Sequence, residues 1–393
     1  MITAPPKGTA AQTSKIPYRE FHLPSAQITR LASNKRGYLP TLDGWRAIAV
    51  FSVIFYHDKL HRVGRITDAP LHHYGFFGVD LFFAISGLLI CSRLLEEEQV
   101  YHRIHLKDFY VRRFCRILPP AILFLIVIAT LGLVHIIHVD LKAWLSSLLF
   151  YSNYYTAATH NTELSLYTNH FWSLSVEEHF YLLLPALLVF FPKHRTRILS
   201  VLVSIFLTYN LAVHSMPAVL NSMGGDYADV RTDLHIVSLL FPALLAIRLT
   251  KPEFRKRCEQ WLVPSGTILL FAAIWVLTHF FAHMLAAKAL VPLGFPFIIL
   301  STTLHPKSVL GRFLELRLLK FLGRISYSLY LWQQLFFNGD HPHAAGLLSV
   351  LQHWPVSLLS TLTCAVASYY LIERPFIRIG RRLAPPATEG RPA

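Results

Sequence analysis

An arginine and a histidine stand eleven positions apart inside one apolar run, LDGWRAIAVFSVIFYH, in which Arg46 precedes His57. As a helix, this run places the two roughly 16 Å apart along the axis, and about three turns bring both side chains to nearly the same side. Thr41 or Asp43 can cap its start. Carboxylates that such an imidazole could meet stand in two further apolar runs. One is Asp80 in FFGVDLFFAISGLLI, and the others are Glu177 and Glu178 in HFWSLSVEEHFYLLLP. An imidazole beside a carboxylate is a general-base arrangement, because the carboxylate selects the tautomer and stabilises the imidazolium that forms. A cluster of guanidinium groups, Arg112, Arg113 and Arg116, recurs at helical spacing in DFYVRRFCRILPP. Guanidinium grips phosphate in a bidentate way, so this cluster suits a phosphorylated donor. Pro119 and Pro120 fit the start of the helix that follows.

Each group also has a plainer reading. The arginines can hold topology or bind anionic lipid head groups. Asp80 can be a satisfied polar contact between helices. Arg46 and His57 can snorkel toward the two ends of one helix. Adjacent residues on a helix point about 100° apart, so one of Glu177 and Glu178 faces the site and the other a neighbour. Other catalytic signatures are absent: there is no Gly-x-Ser-x-Gly elbow, no Walker loop and no His-Glu-x-x-His. His135 and Asp140 stand at a His-x4-Asp spacing, but it straddles the end of an apolar run, and among 21 histidines it carries no weight. Cys91, Cys115, Cys258 and Cys364 form no Cys-x-x-Cys pair, so no metal site is expected.

The elements that must position these groups are apolar helices. Of the 393 residues, 53% are apolar and only 15% are charged, against about 25% charged in an ordinary soluble chain. Runs of about 20 apolar residues, long enough to span a bilayer, lie at 40–57, 73–92, 117–137, 171–192, 198–215, 232–249, 261–282, 284–303, 319–338 and 347–373. The expected fold is an all-α integral membrane bundle of about ten transmembrane helices. The net charge of +15 invites nucleic acid as a partner, but the positive residues sit in short loops between apolar runs, where they set membrane orientation. With the N-terminus cytosolic, only Lys59, Arg62, Arg65, Lys142 and Arg231 fall in outer loops. Arg46, Lys288 and Arg324 fall in spans, and the remaining Lys and Arg lie inside. If 140–152 also crossed, KHRTR at 193–197 and RKR at 255–257 would face outward. That segment is therefore expected as an interfacial helix, with both termini cytosolic. His57, Asp80 and the two glutamates then share the outer half. Residues 1–37 and 381–393 are expected as disordered cytosolic tails around one membrane domain at 38–380, placed in the inner (plasma) membrane.

These stretches together resemble the acyltransferase 3 family of membrane proteins, which includes O-antigen and exopolysaccharide acetylases. The resemblance runs from about Leu42 to Phe376 and rests on LDGWRAIAV with its Arg46–His57 spacing, GVDLFFAISGLLI, YVRRFCRILPP, FWSLSVEEHFYLLLP, ISYSLYLW and IERPF. It implies an enzyme that takes an acyl group, acetyl by default, from acyl-CoA as co-substrate, with no permanently bound cofactor. The acceptor implied is a glycan or a hydroxylated small molecule, and the lipid bilayer is the surrounding partner. His57 matches the essential histidine of the family and Arg46 its partner. Arg113 and Arg116 fall in the donor-associated arginine motif. Glu177 and Glu178 match an acidic pair, and Ser326, Tyr327 and Tyr330 match a further motif. Two positions depart from the pattern: Gln333 stands where a histidine is common, and His179 where a glutamine is common. Many relatives continue into an esterase-like domain, for which no residues remain here, so a second step is expected from another protein.

The leading expectation is direct transfer, with His57 as base, oriented by Glu177 or Glu178, and donor phosphates near Arg112, Arg113 and Arg116. A covalent acyl-histidine relay is its variant. The rival from another class is a secondary transporter or flippase, which should show paired broken helices in two related halves. VPLGFPF at 291–297 is one such break, and no counterpart is visible.

Overall fold

The computed structural model describes residues 40–57, 75, 77–161, 164–281, 290–337 and 344–385. The expected tail at 1–37, most of the one after 380, and the loop cations Lys59, Arg62 and Arg65 lie outside the described residues, as does Lys288. Every regular element among the described residues is helical. In chain order they are α1 (Pro40–His57), α2 (Phe77–Tyr101), α3 (Leu106–Leu133), α4 (Leu141–Leu148), α5 (Ser152–Thr159), α6 (Phe171–Phe190) and α7 (Arg195–His214). Then follow α8 (Pro217–Ser222), α9 (Thr232–His235), α10 (Val237–Arg248), α11 (Pro252–Trp261), α12 (Pro264–Phe281) and α13 (Phe295–Leu304). The last are α14 (Val309–Leu314), α15 (Arg317–Arg324), α16 (Ser326–Phe336), α17 (Leu347–Leu351), α18 (Val356–Ser368) and α19 (Arg374–Leu383).

Among the described residues, five helical stretches are long and apolar enough to cross a membrane: α2, α3, α6, α7 and the continuous run Val356–Leu383. Two shorter apolar stretches, Val237–Arg248 and Val291–Leu304, accompany them. Large apolar side chains such as Ile126, Leu182, Phe190, Ile205 and Leu371 stand exposed on these helices. A surface of that kind is soluble only in lipid; the chain is a membrane protein.

Several expected spans are broken. The run 319–338 divides at Ile325 into α15 and α16. The reason is amphipathy: α15 turns Leu322 and Gly323 inward while Arg317 and Arg324 stand exposed and Lys320 is half-buried. The run 232–249 breaks at Ile236 between α9 and α10. Helix α3 does not start at the proline pair but at Leu106, and it continues through Pro119 and Pro120. Such prolines are tolerated in membrane helices when neighbours serve the backbone, and beside this pair the Tyr327 hydroxyl donates to the Ile117 carbonyl over 2.8 Å. The segment 140–152 holds the eight-residue α4, about 12 Å long and too short to span. Asp140 caps it by accepting from the Ala143 amide at 2.7 Å. Leu141, Leu145 and Leu149 are exposed on it, while Ser146 and Ser147 are buried. The last helix runs to Leu383, just inside the stretch expected as the second tail.

Helix α2 is the centre of the bundle, packed on α1, α6, α10 and α13. Lipid supplies no hydrophobic drive between helices, so close approach through small residues does that work. A Cβ at Gly323 on α15 would fall onto the Asp43 carbonyl oxygen of α1. That contact fixes the start of α1, and with it Asp43 and Arg46, against the next motif. Between α18 and α19 one turn widens to a π-helix, Tyr369–Glu373, which buries Glu373. Such bulges often mark functional sites.

Candidate active site

A cleft among the helices, partly open to solvent, holds about 700 Å³ of empty space. Arg46 of α1 enters it, and Phe82, Phe83 and Ser86 of α2 form one wall. Arg113 and Arg116 enter from α3, and Ser173, Glu177 and Tyr181 from α6. Ser326, Tyr327 and Tyr330 of α16 close it. Five sequence stretches far apart in the chain thus deliver three guanidinium groups, a carboxylate and several hydroxyls to one place.

Glu177 is held on both oxygens. Ser86 donates to Oε1 over 2.8 Å, and Tyr181, one turn along the same helix, donates to Oε2 over 2.9 Å. Arg113 lies over the Tyr181 ring, 4.6 Å from its centroid, with the Phe109 ring at 5.8 Å. Stacking on aromatic faces is a geometry that guanidinium favours and ammonium does not reproduce. Arg46 reaches Asp43 over 3.3 Å. Glu178 does not line the cavity; its electrostatic neighbours are Glu177, Arg113 and Tyr110. Buried Glu373, which accepts from Ser328 over 2.7 Å, has Arg116 and Arg46 as neighbours. The acid of IERPF and a serine of ISYSLYLW therefore support the arginine cluster.

Arg112 departs from its cluster. It pairs with Glu97 at 2.9 Å and reaches the Ala384 carbonyl at 3.4 Å, away from the cavity. Adjacent helical residues diverge by about 100°, and here only Arg113 and Arg116 share the inner face. Asp80 is also engaged elsewhere, accepting from Ser238 and His235, each at 3.0 Å. His179 does not reach the cavity; its Nδ1 lies 2.6 Å from Thr232 Oγ1. Asp140, of the discounted His-x4-Asp spacing, accepts from Tyr155 over 2.9 Å besides capping α4.

His57 sits at the far end of α1, outside the cavity wall. Its Nδ1 lies 2.9 Å from the Val53 carbonyl. A carbonyl only accepts, so Nδ1 carries the hydrogen and Nε2 is the basic nitrogen. The orienting partner of His57 on this side is thus its own backbone, while both oxygens of Glu177 are taken by Ser86 and Tyr181.

Four contributors were not singled out from sequence: Ser86, Ser173, Tyr181 and His170. Tyr181 stands at i+4 from Glu177, a spacing that puts both on one face. Ser173 and His170 stand in the HFWSLSVEE stretch itself. His170 is an electrostatic neighbour of His57, and it adjoins the cavity through Tyr330, with ring centroids 5.5 Å apart.

Comparison with known proteins places the chain among relatives. The chain is 31% identical over 363 residues to O-acetyltransferase OatA of Staphylococcus aureus strain NCTC 8325, and equally to that of strain COL. The match covers 87% of this chain and 58% of each relative, so the chain spans little more than half the length of these relatives. No solved structure matches it. The family model described as an acyltransferase domain matches residues 39–370, which includes every residue of the cavity. The chain belongs to this acyltransferase family.

Proposed function

We propose that this membrane protein transfers an acyl group, acetyl by default, from acyl-CoA to a hydroxyl of an envelope or exopolysaccharide glycan or a related acceptor. The observation that carries the proposal is the cavity in which Arg46, Arg113 and Arg116 meet Glu177 and Tyr181. Donor phosphates bind near Arg113 and Arg116 at the cytosolic face, and the pantetheine arm passes Arg46 into the bundle. About ten spans, with both termini cytosolic, would put His57 at the outer end of that passage. The relatives' name supports acetyl as the group and a hydroxyl oxygen as its destination.

In the reaction proposed, the acceptor oxygen attacks the thioester carbonyl. A C–O bond forms and the C–S bond breaks. The hydroxyl proton goes to Nε2 of His57 and then to the departing thiolate, so free CoA leaves as a thiol. General-base help of this kind is worth about 10²–10⁴-fold. Glu177, fixed by Ser86 and Tyr181, balances the guanidinium cluster while the donor is absent.

The test uses purified protein in detergent with acetyl-CoA and the envelope glycan fraction of the producing cell. Thiol release and an acetyl mass added to glycan are expected, and His57→Ala should lose both at unchanged yield. Near-normal turnover in that variant would reject the role of His57. A transporter needs a sealed vesicle and would consume no acetyl-CoA in detergent, so the same assay separates the two classes.

A further inference from the structure

His170 closes the turn before α6, and its side chain is enclosed in protein with 2% of its surface exposed. Neither ring nitrogen has a hydrogen-bond partner among the described residues. The walls are aromatic: Phe171 at 4.9 Å, Phe124 at 5.3 Å and Tyr330 at 5.5 Å between ring centroids. A buried donor left unpaired costs about 1–3 kcal/mol, and such a group in a native fold calls for a functional explanation. The backbone of the same residue is firmly held. Hydroxyls of Tyr330 and Ser173, 2.6 Å apart, each lie 3.1 Å from the His170 carbonyl oxygen. Both hydroxyl residues line the cavity. The ring is thus anchored to the cavity wall on one side and neighbours His57 on the other.

Its surroundings also decide its charge. Burial, and then the nearby His57, hold the His170 ring well below the ordinary histidine range. A neutral imidazole offers one N–H and one lone pair. A second cation beside the imidazolium that forms on His57 would be disfavoured, which leaves hydrogen-bond donation as the useful property of this ring.

We propose that His170 donates its ring N–H to the carbonyl oxygen of the acyl group during transfer, as an oxyanion-stabilising catalytic residue beside His57. This inference rests on the acyl-transfer reading above. As the acceptor oxygen bonds to the carbonyl carbon, the C=O π pair moves onto the carbonyl oxygen, where the N–H meets it. The pair returns as the C–S bond breaks, and His170 keeps its proton throughout. The proton released by the hydroxyl travels through His57, so no further reactant is needed. A preorganised donor in a site walled by aromatic rings is worth far more than the same donor in water.

The experiment compares wild-type protein, His170→Ala and His170→Gln in the detergent assay, with melting temperatures measured on the same samples. His170→Ala should lose about 10²–10³-fold in kcat, with KM for acetyl-CoA within about threefold of wild type. Glutamine presents an N–H but cannot take up a proton, so His170→Gln should recover at least about a tenth of wild-type kcat. A properly folded alanine variant with kcat within about threefold of wild type would overturn the assignment, since a lost oxyanion donor cannot be that mild. So would a glutamine variant that melts like wild type yet falls below about a tenth of its kcat, and this arm stands even if the alanine variant fails to fold. Wild-type protein that releases no thiol from acetyl-CoA would bring down the acyl-transfer reading itself, and the role of His170 with it.

Discussion

His235 bridges two carboxylate-bearing segments: its Nε2 lies 3.0 Å from Asp80 on α2, and its Nδ1 lies 2.8 Å from the Asp229 carbonyl. The pair is packed under the rings of Phe83 and Trp172. Asp80 is 1% exposed, so this is a buried pair tying the central helix to α9. Breaking such a pair from one side typically costs about 3–5 kcal/mol, because the other partner stays buried alone. Asp80→Ala is therefore expected to lower the melting temperature and yield sharply, while the protein that does fold keeps kcat within about threefold. Loss of turnover at an undiminished melting temperature would return Asp80 to the chemistry.

The neighbours Arg112 and Arg113 should behave differently despite their adjacency. Arg113 lines the cavity over Tyr181, whereas Arg112 pairs with Glu97 outside it. Losing a charge-assisted contact to a phosphate removes about 1.5–3 kcal/mol, which is roughly 10–100-fold in affinity. Arg113→Ala should raise KM for acetyl-CoA by at least about tenfold, and Arg112→Ala by less than about threefold. Steady-state kinetics on both variants checks this. Equal effects would mean that the donor reaches beyond the cavity.

Gly323→Ala tests the seam between α1 and α15. The new Cβ would coincide with the Asp43 carbonyl oxygen, and backbone cannot move aside as a flexible side chain would. Overpacking of this kind costs about 1–3 kcal/mol or more. The expected result is a lower melting temperature with weakened turnover, since displacing Asp43 also displaces its partner Arg46. A variant that melts like wild type would show the seam to be looser than described.

Tyr155 gives a pH-dependent signal outside the membrane spans. Burial and its hydrogen bond to Asp140 push its phenol up to about 12. The folded value lies above the unfolded one, so the stabilisation is complete below about pH 10. It is lost as the pH rises toward about 12. Melting temperature in detergent should decline over that window in wild type and more shallowly in Tyr155→Phe. Parallel curves would remove the Asp140–Tyr155 bond as the cause.

The amino-acid sequence determined the class of molecule, because apolar length and sparse charge leave only a helical membrane bundle able to satisfy its backbone. It also singled out stretches that the fold brings together, since five of the six quoted stretches place residues in the cavity and IERPF supplies Glu373 beside the arginines. The short α4 was legible from Asp140 and from where the positive residues fall. Partners were not legible. Helical period tells which side a residue shares with its own helix, but not which neighbour that side meets. Asp80 finds His235 across 155 positions, and Ser328 finds Glu373 across 45. The same limit hid the divergence of Arg112 from Arg113 and Arg116, and the breaks at Ile236 and Ile325. His170 was one of 21 histidines in the sequence. Only the packed helices, by enclosing its ring between the cavity wall and His57 with no hydrogen-bond partner among the described residues, separate it from the rest.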